Sequence, residues 1–347
     1  MSGWTRRQAR IAFPHRPDMS QTNLRTPVEG ALRAPRWLVV AAFFATFAAL
    51  IFVHPLFGAF AALTGCLLAV ALLGQRAVLT TGKLDQPTLE RLRGSVESPP
   101  RVSVVIPALN EADNLKRILP RLPRGLHEVI LVDGGSNDRT IETAQRQLPS
   151  IRVIRQPGHG KGDALGLGFE AVTGDAIVML DADGSTDPAE IPRFIDALWA
   201  GADLAKGSRF VDGGGSADIT ALRRAGNRGL VAAVNALFGT RYSDLCYGYN
   251  AFWTQCLPYL SLDTSGFEVE TLINVRAAKA GLVVSEIPSF ELARLSGASH
   301  LKPFRDGFRV LRIIVRESWL NPRMWQKRRR RIQPVPSGAE SSRSTGP

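Results

Sequence analysis

Arg101-Val102-Ser103-Val104-Val105-Ile106-Pro107-Ala108-Leu109-Asn110-Glu111 sets a compact β-branched run directly against a proline and a polar turn. β-Branched side chains fit a pleated, buried strand, and the run is too short to be a helix. The spacing predicts a strand over 101–106 followed by a helix over 111–122. The pattern repeats downstream, with strands expected at 128–132, 151–154 and 175–180 and helices at 140–147, 163–172 and 188–200. Strands alternating with helices imply an α/β fold with a mostly parallel sheet covered on both faces. Ligands bind such sheets at the carboxyl ends of the strands, so function is expected in the loops there.

Two common nucleotide motifs fail at these loops. A dinucleotide site needs GxGxxG directly after the first strand, where this chain has Pro107-Ala108-Leu109-Asn110-Glu111. A phosphate-binding loop needs GxxxxGK[ST], but around Gly160-Lys161 the first position is Arg155 and the last is Gly162. The loops carry carboxylates instead. The second strand runs into Asp133-Gly134-Gly135-Ser136-Asn137-Asp138, and the fourth into Asp181-Ala182-Asp183-Gly184-Ser185. Carboxylates directed from neighbouring strands into one crevice suit Mg2+ or Mn2+ bridging a diphosphate. Asp138 and Asp187 read equally well as helix caps. Asp133, Asp181 and Asp183 do not stand directly before a helix, and their crowded charge calls for a cation.

Taken together, these pieces resemble the family 2 glycosyltransferases of the GT-A fold, over residues 102 to about 317. Within that family the chain is most similar to dolichyl- or polyprenyl-phosphate mannosyl- and glucosyltransferases. The resemblance rests on residues 104–111, Val132-Asp133-Gly134-Gly135-Ser136, Gly160-Lys161-Gly162 and residues 181–185. It continues through Gly207-Ser208-Arg209-Phe210 and Asp244-Leu245-Cys246-Tyr247-Gly248-Tyr249. It implies a nucleotide-sugar donor of the UDP-glucose or GDP-mannose type, a metal ion and an inverting transfer. Pro107, Ala108 and Glu111 would embrace the nucleoside, and Asp133 would contact the base or ribose. Lys161 would lie near the donor, although a solvated loop lysine reads the same. Asp181 and Asp183 would hold metal and diphosphate. Arg209 would bind phosphate or the donor sugar, a surface ion pair being the alternative.

The acceptor side is less sharply written. A sugar hydroxyl acceptor needs a carboxylate base, whereas a phosphate is already ionised near neutral pH. Glu268 and Glu270 are the candidates for a base or for positioning, and both also suit the start of a helix. The segment Ala293-Arg294-Leu295-Ser296-Gly297-Ala298-Ser299-His300 resembles the acceptor loop of the polyprenyl-phosphate enzymes, which would give Arg294 and Ser299 to the acceptor phosphate. Residues 304–320 place Phe308, Leu311, Ile314 and Val315 on one helical face, suited either to a core or to an anionic membrane surface.

Charge and hydropathy frame this domain. The chain has 347 residues and a net charge of +12, but residues 1–36 carry +5 of it and residues 321–347 carry +6. The body is near neutral, which argues against a nucleic-acid partner. Three cysteines without CxxC spacing suggest neither a disulfide framework nor a zinc site. Residues 37–74 contain no charged side chain and are interrupted by His54-Pro55. A single helix of that length would reach about 55 Å, against a hydrocarbon core of about 30 Å. The expectation is a membrane hairpin of helices at 37–53 and 56–73, with basic flanks placing both ends and the catalytic domain on the cytoplasmic side. The expected organisation is a basic tail at 1–36, the hairpin at 37–74 and a linker at 75–100. A GT-A domain at 101–302, an amphipathic helix at 303–320 and a basic tail at 321–347 complete it. The corresponding partners are a nucleotide-sugar, membrane lipids and a polyprenyl phosphate, with a glycolipid or polysaccharide hydroxyl as the alternative acceptor.

Overall fold

A computed structural model of the chain describes residues 99–294 and 303–320. The expected hairpin, all but the last two residues of the linker and both basic tails lie outside the described residues. Among the described residues no helix is long and apolar enough to cross a membrane.

Strands and helices alternate through β1 (Val102–Ala108), α1 (Ala112–Ile118), β2 (Glu128–Asp133), α2 (Thr140–Gln147), β3 (Arg152–Arg155), α3 (Lys161–Glu170) and β4 (Ala176–Met179). There follow α4 (Ile191–Trp199), β5 (Leu204–Ser208), β6 (Gly215–Ser216), α5 (Ala221–Phe238), β7 (Asn250–Trp253) and α6 (Leu257–Leu260). The described chain closes with α7 (Val269–Ala280), β8 (Val284–Pro288), β9 (Phe290–Glu291) and α8 (Pro303–Trp319).

Several boundaries differ from expectation for local reasons. The helix expected over 111–122 ends at Ile118 and tightens into a 3-10 turn, Leu119–Arg121, at Pro120. Proline cannot donate the helix bond that continuation requires. A similar turn, Pro188–Glu190, precedes α4. The third helix starts at Lys161, and the N–H of Gly162, which has no partner within the helix, bonds the carbonyl of Ser265. The third strand is shifted by one residue, to Arg152–Arg155.

The main sheet has seven strands in the order β3-β2-β1-β4-β7-β5-β8. β7 runs antiparallel to both β4 and β5, and the remaining pairs are parallel. β1 is the pivot, pairing Val104 with Val129 of β2 and with Val178 of β4. Val104, Val105 and Ile106 are fully buried, as expected of a parallel strand covered on both faces. The chain runs from β1 outward to β3, then returns to the other side of β1 as β4. Strand order therefore reverses between β1 and β4, and a crevice opens above their carboxyl ends. The loops carrying residues 107–111 and 181–185 meet there.

α8 is amphipathic, but its faces differ from the expected one. Val310, Ile313 and Ile314 are buried, the first and last in a cluster with Val234, Leu237 and Phe238 of α5 and Val275 of α7. Phe308 and Leu311 are exposed instead, as is Trp319. α8 is also fixed to α7 by charge. Glu317, fully buried, lies 2.8 Å from Arg276 and 2.7 Å from Lys279. Such a group is favourable only while every member keeps its partner.

Candidate functional site

The crevice forms a cavity of about 550 Å³ whose wall includes Pro107, Ala108, Glu111, Lys161, Asp181 and Asp183. β1, β2 and β4 end beside one another, so their turns converge without a long loop. Asn110 takes a positive φ of 58° after β1, which turns the backbone back toward the neighbouring strand loop. There its N–H donates to Ser136 Oγ, and its side-chain oxygen accepts from the N–H of Asn137.

Asp133 sits at the end of β2 and is buried. Its Oδ2 accepts from the N–H groups of Gly135 and Ser136, at 3.1 and 3.2 Å. Its Oδ1 is buried with no hydrogen-bond partner among the described residues, which suits the N–H or O–H of a ligand. Asp187 caps its turn, whereas Asp138 stands one residue before the N-cap Arg139 and still binds helix-start N–H groups. Asp138 accepts from the N–H of Thr140 and of Ala112, and Asp187 from that of Ala189.

The two central carboxylates each hold a cation. Lys161 Nζ lies 2.6 Å from Asp181 Oδ1 and 2.6 Å from Glu270 Oε1. Burial opposes the lysine's charge, but the two carboxylates outweigh it and hold its pKa above the ordinary value. Gly248 closes over this triad: a Cβ there would stand 2.7 to 2.8 Å from Lys161 Nζ, Asp181 Oδ2 and Glu270 Oε1. Asp183 Oδ1 accepts from the N–H and hydroxyl of Ser185, at 3.0 and 2.6 Å. Its Oδ2 lies 2.8 Å from Arg294 Nη2, while Arg294 Nη1 reaches Glu111 at 3.4 Å. Burial raises the pKa of Glu111, against the pull of Asn114 and Arg294.

Among the described residues no group of three or more His, Cys, Asp or Glu side chains forms a metal cage. Asp181 and Asp183 on one turn fit a cation that takes its other ligands from a diphosphate and water, the usual habit of Mg2+.

Other expected residues stand elsewhere. Arg209 does not line the cavity and is not a surface ion pair. It is 5% exposed and is held by Asp244 at 2.7 Å and Glu291 at 3.1 Å. Its guanidinium lies 5.0 Å from the Tyr247 ring centre. Tyr247 and Glu291 do line the cavity, so Arg209 supports the wall from behind. Glu268 is buried at the start of α7, where Oε1 accepts from the N–H of Gly266, and it too stands off the cavity. Glu270 lines the cavity but is engaged by Lys161. Arg294 is present at the cavity wall, whereas Ser299 lies outside the described residues.

Sequence reading missed Arg223, Arg305 and Arg309, which also line the cavity. One signal was available. Arg223 and Arg224 lie at the start of α5 with no acidic residue in its first turn, contrary to the preference of the helix dipole. Cys246 lines the cavity as well, and burial pushes its thiol up to about 12.

Comparison with known proteins agrees with this geometry. Residues 103–252 match the family described as Glycosyl transferase family 2. Over 237 residues the chain is 32% identical to the polyprenol monophosphomannose synthase of Mycolicibacterium smegmatis, covering 61% of this chain and 87% of that one. Over 228 residues it is 34% identical to the dolichol-phosphate mannosyltransferase of Pyrococcus furiosus, covering 62% of this chain and 63% of that one. The fold is similar to glucosyl-3-phosphoglycerate synthase from Mycobacterium tuberculosis, crystallised with Mn2+, UDP and phosphoglyceric acid. That likeness has a TM-score of 0.51 at 21% identity over 67% of this chain and 82% of the other.

Proposed function

The chain belongs to the family 2 glycosyltransferases of the GT-A fold, and we propose that it transfers a hexose from a nucleotide-diphosphate sugar to a polyprenyl phosphate at a membrane. The observation that carries this reading is the composition of one cavity wall. It joins Asp181 and Asp183 to Arg223, Arg294, Arg305 and Arg309, and among the described residues Glu270, the carboxylate expected as a base that lines this wall, is engaged by Lys161.

Asp133, Pro107, Ala108 and Glu111 hold the nucleoside, with the donor of the UDP-glucose or GDP-mannose type. Asp181 and Asp183 hold Mg2+ or Mn2+, which when bound offsets the charge of the leaving diphosphate. Lys161 adds a fixed positive charge beside Asp181. Arg294 and Ser299 orient the acceptor phosphate, and Arg223 and Arg309 add positive charge to the same cavity. An acceptor phosphate oxygen attacks the anomeric carbon on the face opposite the diphosphate. The new carbon–oxygen bond forms as the old one breaks, and the electron pair leaves on the diphosphate. The product is an inverted glycosyl phosphate, and no proton is removed from the nucleophile. Transfer to a hydroxyl lacks this economy, because Glu270 is bound to Lys161 and Glu268 stands off the cavity.

Membrane attachment through residues 37–74 brings the lipid acceptor to the domain, with the catalytic side in the cytoplasm. The exposed Phe308 and Leu311 stand on the helix that supplies Arg305 and Arg309 to the cavity wall. The test is a product assay with labelled nucleotide-sugars, Mn2+ and a polyprenyl phosphate. A lipid-extractable sugar supports the reading, and its absence with every donor refutes it.

A further inference from the structure

Both oxygens of Asp183 are engaged, and the two engagements differ in kind. Oδ1 is held by the N–H and hydroxyl of Ser185 in its own turn. Oδ2 is held by Arg294, a residue 111 positions away in the chain. Losing Arg294 leaves the carboxylate oriented by Ser185 and ready to take another cation at Oδ2. Losing Ser185 would not.

The two cations of the site also differ. Lys161 is 11% exposed and is clamped at 2.6 Å by two carboxylates, one of them on α7. Arg294 is 22% exposed, has one short contact and reaches Glu111 only at 3.4 Å. Lys161 is built in, whereas Arg294 is the exchangeable member. A divalent cation and a guanidinium on one carboxylate oxygen repel each other, so each weakens the hold of the other there.

We propose that Arg294 is an internal counter-ion that competes with a divalent cation for Asp183, and that its release couples the two substrates. This rests on the reading of Asp183 as a metal ligand and Arg294 as an acceptor-phosphate residue. The donor with its cation takes Oδ2, and the released guanidinium becomes available to an anionic acceptor at the same cavity wall. Before that release, Arg294 is already paired and the acceptor phosphate meets one fewer cation. Donor binding therefore tightens acceptor binding, and by linkage acceptor binding tightens donor binding by the same factor. Arg294 thus trades a carboxylate for a phosphate.

Deleting the positive charge of Arg294 should improve cation binding by removing a competitor. Full-length protein in detergent is titrated with Mn2+ in the absence of nucleotide, and free Mn2+ is read by electron paramagnetic resonance. Arg294→Gln is expected to bind Mn2+ about fivefold more tightly than the natural chain, the scale of a partly exposed ion pair. Arg294→Lys, which keeps the charge, should stay near the natural affinity. The gain should vanish in the double variant with Asp183→Asn. Equal or weaker Mn2+ binding by Arg294→Gln overturns the proposal, as does no Mn2+ binding by either protein, or a gain that survives Asp183→Asn. A parallel titration with UDP and with GDP tests the underlying reading separately. If Asp183→Asn leaves Mn2+-dependent nucleotide binding unchanged, the metal assignment itself fails, whatever Arg294 does.

Discussion

Lys161 Nζ lies 2.6 Å from Asp181 Oδ1, so a buried ammonium joins the start of α3 to the turn after β4. The same ammonium holds Glu270 of α7 at 2.6 Å. Burial raises the Glu270 carboxyl above the usual range, and Lys161 draws it back. The helix that supplies a possible base therefore supplies the anchor of a cation instead.

Replacing Lys161 by Met leaves Asp181 and Glu270 facing each other without a counter-charge. Breaking such a buried group costs about 3–5 kcal/mol, shared between the fold and the site. Nucleotide binding with Mn2+ should weaken at least about tenfold in a calorimetric titration, with Lys161→Arg recovering part of it. Unchanged affinity in Lys161→Met would show that this cation takes no part in holding the donor.

The two glutamates of the α7 start separate the acceptor classes. With a phosphate acceptor, Glu268→Gln should keep kcat within about threefold, because no proton has to be removed. Glu270→Gln should act through Lys161 and raise the donor KM more than it lowers kcat. A loss of about a hundredfold or more in kcat at saturating donor, in either variant, would point to a base and a hydroxyl acceptor.

Gly248 is a test of close approach. A methyl group there would press on Lys161, Asp181 and Glu270 at once, and crowding of this kind costs about 1–3 kcal/mol. Gly248→Ala should weaken donor binding by about tenfold. Thermal unfolding should move by only a few degrees, since the clash lies in the cavity wall. Normal donor binding in this variant would mean that the triad shifts freely.

Much of this arrangement was written in the sequence, and the reasons are local. β1, β2 and β4 are covered on both faces, so they appear as apolar runs, and polar residues mark where each run leaves the sheet. That is why the loops at 107–111, 133–138 and 181–185 were legible as one crevice. The insertion of β7 between β4 and β5 was not, because four residues, Asn250–Trp253, carry no sign of their partners. Pairing between Arg294 and Asp183 was hidden for the same reason: it depends on packing across the domain. Arg209 reads in the sequence as a ligand of phosphate or the donor sugar, but its neighbours Asp244 and Glu291 take it into the wall. On α8 the apolar residues occupy more than one side, so periodicity alone could not say that Ile314 faces α5 and α7 while Phe308 faces out.

The α7–α8 clamp predicts a dependence of stability on pH. Burial would raise the Glu317 carboxyl, but Arg276 and Lys279 outweigh it and hold its pKa below the usual value. The folded pKa is thus lower than the unfolded one. The stabilisation is present above the ordinary carboxylate range, about pH 4.3, and is lost as pH falls through the depressed folded value. Glu317→Gln should lose about 3–5 kcal/mol at pH 7, where it leaves buried Lys279 without a carboxylate partner and Arg276 with Asp263 alone. Urea denaturation should show the two proteins converging below about pH 4. Parallel curves at every pH would contradict this account of the clamp.

The most direct test of the central claim is the product of the purified full-length chain supplied with a polyprenyl monophosphate, Mn2+ and a panel of radiolabelled UDP- and GDP-hexoses. The account predicts a chloroform-extractable product from one donor, labile to mild acid as a glycosyl phosphate is, and lost in Asp183→Asn. No lipid-linked sugar from any donor, or a product stable to mild acid, would contradict it.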